Sequence, residues 1–280
     1  MKKFLILALA IMIPVTMSAQ AQINTKKVKI EDFTEKTTKV VLTGNIFFDQ
    51  SLKDEVQNRW RISPFEFCTL KEFEELKTDD SYYFLMTVKG RFKKESRPGL
   101  TMLSVMKGGA AAEKGISKML DVVTVPVMAT DDPSGREFVF LPALLDIIQE
   151  HILRSMETDV AGYSGLSSFN MNMNEADRKD IIIAADDLAP GMSEEELESF
   201  EADGIYVTDT DIADEMMMEH TPNAVVSFTV YPSDRGRGSF CYKMLIDAQT
   251  HKLYYFRRHK LSKRAGAGFL PEDLYRIAGR

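Results

Sequence analysis

The segment FEFCTLKEFEEL (residues 65–76), followed by YYFLMTV (residues 82–88), decides the fold. Residues 65–67 alternate apolar and polar side chains, as a half-buried strand does, whereas Thr69 and Glu72 have the spacing of a capping box at the start of a helix. Residues 82–88 are rich in strand-forming side chains and predict a second strand. This order of strand, helix and strand is typical of an α/β protein.

The flanking residues extend the pattern in both directions. Val40–Leu42 predicts a strand, and Ser51 is expected to cap a helix whose apolar side chains recur at i, i+4 and i+8, namely Leu52, Val56 and Trp60. A turn at 97–99 and a strand at 100–106 complete a hairpin with residues 82–88. The first half therefore predicts the order strand, helix, strand, helix, hairpin.

The same order recurs in the second half of the chain. The predicted elements are a strand at 181–183, a helix capped by Ser193, a strand at 205–207, a helix capped by Asp209 or Asp211, and a hairpin of 224–231 with 239–247 around residues 235–238. Residues 84–105 align without a gap on 226–247, with identities at Thr87/Thr229, Val88/Val230, Met102/Met244 and Leu103/Leu245. We therefore predict an α/β (α+β) fold of two related β-α-β-α-β-β modules, each a mixed sheet packed by helices.

A strand, a turn and a helix are predicted between the two copies. An apolar strand at 119–129 is followed by a turn at 131–135, a return strand at 137–141 and Pro142, which suits the first turn of a helix. That helix is amphipathic, with Leu144, Leu145, Ile148, Ile152 and Met156 on its apolar side. The segment 162–176, rich in Gly, Ser and Asn, is predicted to link a first domain at 22–161 to a second at 177–280.

The N-terminus predicts export. Lys2 and Lys3 precede the apolar run Phe4–Val15, and Ala19-Gln20-Ala21 has the small residues that signal peptidase accepts. We expect a cleaved signal peptide at 1–21 and a periplasmic or extracellular protein, without a cysteine for a lipid anchor. No later apolar run approaches the ~20 residues of a transmembrane helix, so none is expected in the mature chain.

The order strand, helix, strand, helix, hairpin at 40–106 and again at 181–247 resembles the small α/β domain at the N-terminus of TolB and in CsgG-like envelope proteins. The chain also resembles uncharacterised secreted proteins of Bacteroidetes, in Trp60–Phe67 and Met106–Gly109. The CsgG-like resemblance implies a noncatalytic domain that docks partner proteins in envelope assemblies.

The residues do not predict a catalytic, metal or cofactor site. Gly162-Tyr163-Ser164-Gly165 lacks the second glycine of a nucleophile elbow, since Leu166 stands in its place. None of the four histidines has a second ligand at the spacing of a zinc site. Cys68 and Cys241 could form one disulfide if they are close, or be two separate buried thiols.

Charge is the more informative signal. The chain has a net charge of −7, which argues against nucleic-acid binding. The strand predicted near the C-terminus is nevertheless basic and aromatic, and its candidate binding residues are Lys252, Tyr254, Phe256, Arg257, Arg258 and Lys260. Such a strip predicts contact with an envelope protein or with an anionic glycan or lipid; alternatively, its charges only protect a sheet edge.

Three functions remain open on the sequence. An exported, noncatalytic binding or scaffold protein of the bacterial envelope is the leading prediction. A secreted hydrolase or transferase could instead use Asp131, Asp132, Asp186 and Asp187, which follow predicted strands, as the residues of α/β active sites often do. A surface adhesin or assembly subunit would expose its strand edges.

Overall fold

The computed structural model describes residues 29–92, 95–234 and 238–279, and in them two five-stranded sheets carry seven α-helices. The predicted signal peptide (1–21) lies outside these residues, as does the predicted turn at 235–238 apart from Gly238. The strands are β1 (Thr37–Val41), β2 (Phe65–Cys68), β3 (Tyr82–Gly90), β4 (Leu100–Lys107), β5 (Leu120–Ala129), β6 (Asp180–Ala184), β7 (Ile205–Thr208), β8 (Ala224–Val230), β9 (Phe240–Asp247) and β10 (Leu253–Lys260). The helices are α1 (Ile46–Arg59), α2 (Leu70–Leu76), α3 (Arg136–Glu157), α4 (Asp159–Ser164), α5 (Glu194–Glu201), α6 (Thr210–Met218) and α7 (Pro271–Ala278).

Both sheets have the same strand topology. The first has the order β2-β1-β3-β4-β5, and the second has the equivalent order β7-β6-β8-β9-β10. In each, the first three strands along the chain are parallel and the last two are antiparallel. The predicted fold class of two similar mixed-sheet modules is confirmed, and each module has one further strand and one further helix, β5 with α3 and β10 with α7.

The hairpin of the second module is two residues shorter than that of the first. Phe84 pairs with Met106 in the first module, whereas Val226 pairs with Ile246 in the second. The offset of 142 therefore holds for β3 and β8, but it becomes 140 for β4 and β9. The ungapped alignment is wrong in that second strand, although a two-residue slip keeps side chains on the same face, which is why the pattern still matched. The identities without a structural counterpart are Met102/Met244 and Leu103/Leu245.

The predicted strand at 137–141 is wrong, because these residues form the first turns of α3. The helix begins at Arg136, after Gly135 in the left-handed conformation (φ 90°), and Pro142 lies inside it. Helical geometry places the Phe140 ring parallel to the Phe228 ring of β8, with centroids 4.3 Å apart. This inter-module stacking outweighs the strand propensity of the local sequence.

Helix starts were predicted correctly where a capping box is present. Thr69 with Glu72 caps α2, and Ser193 with Glu196 caps α5, each through both of the reciprocal hydrogen bonds. The predicted cap at Ser51 is wrong: α1 begins at Ile46, where the Asn45 side chain accepts hydrogen bonds from two backbone amides. Asn45 satisfies the first-turn donors before Ser51 is reached.

One apolar core runs through both modules, with α3 packed between them. This helix contacts β5 and α1 of the first module and α6 of the second. The predicted apolar side of α3 is confirmed, since Leu144, Leu145, Ile148 and Ile152 are buried in the shared core and Met156 packs against it. A separate apolar cluster covers the far face of the second sheet, beneath α7.

The segment 162–176 is helical and packs against the second sheet. It contains the end of α4 and a 3-10 helix, Gly165–Glu175, whose Leu166 and Phe169 are buried in the shared core. The 3-10 helix lies along the edge of β10, where the Asn172 amide donates to the Leu253 carbonyl. Among the described residues, no helix has the length and apolar character needed to cross a membrane.

Candidate functional site

A cleft of about 450 Å³ lies between the two modules. The first module contributes the end of β5 and the start of α3, and the second contributes the loop after β6 and the end of β8. Its polar lining consists of Asp132, Ser134, Arg136, Asp186, Asp187, Thr229, Tyr231 and Ser233. Ligand sites in proteins commonly have this size and lie at such boundaries between domains.

Asp187 forms the floor of the cleft and ties the modules together. Its side chain is only 2% exposed. One carboxylate oxygen accepts hydrogen bonds from Arg136 Nη1 (2.9 Å) and from the amide and hydroxyl of Thr229, and the other accepts one from Ser227 Oγ (2.6 Å). Both oxygens are therefore occupied by donors from α3 and β8.

Arg136 shares its charge between two carboxylates. Its Nε donates to Asp214 of α6 (2.8 Å), and its Nη2 donates to the Ser227 carbonyl oxygen (3.1 Å). The guanidinium also lies near the Phe140 and Phe228 rings, 5.2 and 5.7 Å from their centroids. Burial alone would lower the pKa of Arg136, but the two carboxylates more than offset it and raise that pKa. Arg136 is thus a fixed positive charge on α3 that contacts the loop after β6, α6 and β8.

In this network, the ionised form of Asp214 is disfavoured by its surroundings. Burial raises the pKa of its carboxyl, and the hydrogen bond from Arg136 opposes that effect only in part. The negative charge of the nearby Asp187 acts in the same direction as burial. Two buried or half-buried carboxylates around one guanidinium leave this floor with a formal charge of minus one.

Three of the four acids singled out in the sequence line the cleft. Asp132 and Asp186 are exposed at its rim, and Asp187 is buried at its floor. Asp131 lines a smaller neighbouring hollow instead, where it forms an ion pair with Arg97 at 3.2 Å. The cleft lining therefore carries three carboxylates and one guanidinium, a formal charge of minus two, and Asp214 contacts that guanidinium without lining the cleft.

Sequence reasoning missed Arg136 and Asp214. They are 78 residues apart, so no local spacing connects them. Arg136 lies between the predicted turn at 131–135 and the predicted strand at 137–141, and Asp214 lies in the helix predicted after Asp209 or Asp211, so neither pattern indicates a site. Only the packing of α3 against α6 brings the two side chains together.

The basic strip is divided by its surroundings. Tyr254 and Phe256 are buried, and Lys252 forms an ion pair with Glu175 of the 3-10 helix (2.5 Å). Arg257 is half-buried and hydrogen-bonds to the Tyr255 side chain. Arg258 and Lys260 are exposed. The aromatic half of the strip therefore belongs to the core, while its C-terminal half reaches the surface.

The two cysteines and a buried lysine network lie outside the cleft lining. Cys68 and Cys241 are separate, free and buried. Burial raises the pKa of the Cys68 thiol to about 11 and that of Cys241 to about 12, which makes both poor nucleophiles. Lys243, Asp273 and Tyr255 form a buried network beneath α7. No group of three or more metal-ligating side chains is present in the described part of the chain.

Neither a family model, nor a curated protein, nor a solved structure matches this chain significantly. The resemblance to TolB N-terminal and CsgG-like domains therefore stays a prediction from the order of strands and helices. The function is accordingly inferred from the cleft and from the charged surface of the molecule.

Proposed function

We propose that the protein is an exported, noncatalytic binding protein of the bacterial cell envelope, whose inter-module cleft holds a cationic group of a protein partner. The observation that carries this proposal is a ligand-sized cleft lined by three carboxylates and one guanidinium. Excess negative charge in a partly enclosed cleft attracts cations and disfavours anions. The export signal in the sequence supplies the location.

The hydrogen bonds that the buried carboxylates accept support a noncatalytic role. A general base or nucleophile needs a carboxylate oxygen that can approach the substrate. Both oxygens of Asp187 accept hydrogen bonds within the protein, and both oxygens of Asp214 accept from Arg136 Nε. Of the four acids in the alternative of a hydrolase or transferase, the buried Asp187 therefore has no free oxygen for catalysis, and Asp131 lies outside the cleft in an ion pair with Arg97.

A polypeptide partner is the prediction that follows from the CsgG-like resemblance, which implies a domain that docks partner proteins. The side chain of a lysine or an arginine in such a partner would supply the cation that matches the acidic lining of the cleft.

Thermal unfolding with small ions tests the cleft. Agmatine, an alkyl guanidinium, is expected to raise the Tm of the mature chain at millimolar concentration, whereas succinate is not, because only the cation is bound by the folded state. The double variant Asp132→Asn/Asp186→Asn should lose the response. Glu113→Gln/Glu198→Gln, which removes two exposed acids elsewhere, should keep it.

Two results would count against the proposal. An equal Tm increase with succinate would show that the cleft does not select for charge. An unchanged agmatine response in Asp132→Asn/Asp186→Asn would place the binding site elsewhere on the protein.

A further inference from the structure

The edge of β10 is covered along only part of its length. The Asn170 side chain, from the 3-10 helix Gly165–Glu175, accepts a hydrogen bond from the Phe256 amide (2.6 Å) and donates one to the Phe256 carbonyl (3.2 Å). Beyond Phe256 the strand continues to Lys260, and a loop then leads towards α7. The uncovered part of the edge coincides with the basic half of the strip.

Four exposed cations lie on this part of the chain: Arg258, Lys260, Lys263 and Arg264. The last three form no ion pair with any residue in the described ranges, in contrast to Lys252, which is paired with Glu175. The whole chain carries a net charge of −7, so this basic surface is opposite in sign to the overall charge of the molecule.

A hairpin of the first module lies next to this surface. Phe92 packs against Phe240 of β9 with ring centroids 4.7 Å apart. The Arg258 guanidinium lies over that same Phe240 ring at 5.0 Å. The end of the β3–β4 hairpin therefore lies beside the C-terminal half of β10.

Three acids lie near this surface, and one of them is already paired with a cation. Glu95 accepts hydrogen bonds from Ser239 Oγ (2.6 Å) and from the Phe92 amide (2.8 Å), so it is held within the hairpin contact. Asp273 is buried in its ion pair with Lys243. Glu272, at the start of α7, is the exposed acid close enough to affect His259 of β10.

We propose that Arg258, Lys260, Lys263 and Arg264 form a surface that binds the phosphate headgroups of an anionic phospholipid membrane. These four side chains form an array of exposed cations that lines neither of the two hollows described above. Arg258 and Lys260, two residues apart on a strand, point to the same side. Such an array fits repeated headgroups in a plane, and each basic residue adds about fivefold in membrane affinity.

Vesicle co-sedimentation tests this surface on the mature protein. Vesicles of phosphatidylglycerol with phosphatidylethanolamine should bind the protein at low salt, and vesicles of phosphatidylcholine should not. Lys260→Glu/Lys263→Glu/Arg264→Glu should weaken binding by at least about 100-fold, because three fivefold contributions are lost and three repulsive charges are added. The matched variant Lys71→Glu/Lys114→Glu/Lys118→Glu changes the net charge equally at exposed sites elsewhere and should bind within a few-fold of the native chain.

Two results with the variants would overturn the proposal: native-level binding by the first triple variant, or an equal loss of binding in the matched variant. If the native protein does not bind anionic vesicles, the membrane proposal is also wrong, and an acidic protein is left as the partner. Release by inorganic phosphate, but not by chloride at equal ionic strength, would indicate a discrete phosphate site instead. Asp132→Asn/Asp186→Asn should still bind vesicles, so failure of the cleft proposal and failure of this one are distinguishable.

Discussion

Arg136 shows how a single side chain can hold two modules in a fixed relation. It extends from the start of α3 to Asp187, which follows β6, and to Asp214 on α6. The side chains of Asp187 and Asp214 are 2% and 13% exposed, so water could not take over the hydrogen bonds that the guanidinium makes to them. Loss of Arg136 would therefore leave two acids desolvated and without their countercharge.

Arg136→Met is expected to destabilise the protein by about 3–5 kcal/mol, the usual cost of removing one partner from a buried ion pair. The free energy of unfolding from urea denaturation measures the loss. Arg97→Met removes the exposed pair with Asp131 and should cost far less, since exposed ion pairs contribute little. Equal losses in the two variants would contradict a structural role for the buried network.

His151 is expected to make the protein sensitive to acid. It is fully buried in α3, and burial, followed by the charge of Arg154, lowers its pKa to about 4. The unfolded chain takes up this proton near pH 6.5, so the stability that comes from the neutral ring is complete above pH 6.5 and is lost as the pH falls towards 4. The expected loss over this range is about 3 kcal/mol.

His151→Leu should flatten the pH dependence of the unfolding free energy between pH 7 and pH 4. Leu153→Gln, at an exposed position on the same helix, should leave that dependence unchanged. If His151→Leu falls in stability as steeply as the native chain does, the acid sensitivity comes from other groups.

At the scale of elements, local signals succeeded where the chain satisfies its own hydrogen bonds. The capping boxes at Thr69 and Ser193 are each complete within four residues, so the sequence alone specifies them. The strand predicted at 137–141 failed because the conformation there depends on Phe228, which is far away in sequence. For the cleft, strand ends predicted three of its acids, but the pairing of Arg136 with Asp214 depends on helix packing.

The 3-10 helix Gly165–Glu175 is expected to protect the edge of β10. Asn170→Ala removes both hydrogen bonds to the Phe256 backbone and should destabilise the protein by about 1–2 kcal/mol. Hydrogen exchange at the Phe256 amide should accelerate about tenfold. Asn174→Ala, at an exposed position on the same helix, should change neither quantity, and faster exchange in both variants would point to general fraying of the helix.

Across the whole molecule, the two modules share one strand topology but have different side chains at equivalent positions. Leu103 pairs with Val125 in the first sheet, and the equivalent pair in the second is Lys243 with Arg257. Lys243 is buried against Asp273 of α7, the helix that follows β10 as α3 follows β5. The duplication was predictable from the order of elements, whereas this exchange of an apolar pair for a charged one shows how far the modules have diverged in chemistry.

The cleft is a fixed site only if the two modules form one body. Its walls come from both sheets, and the apolar core that supports them runs from β1 through α3 to β10 without interruption. Modules that share a core and a buried ion network should lose their structure together. The binding proposal depends on this cooperativity, because independent modules would leave the acids of the two walls in changing positions.

Differential scanning calorimetry of residues 22–280 is the most direct test of this coupling. We expect a single transition whose calorimetric enthalpy equals the van't Hoff enthalpy, because neither module can unfold without exposing the core of the other. Two resolved transitions, or a calorimetric enthalpy well above the van't Hoff value, would contradict the account by showing that the modules unfold separately.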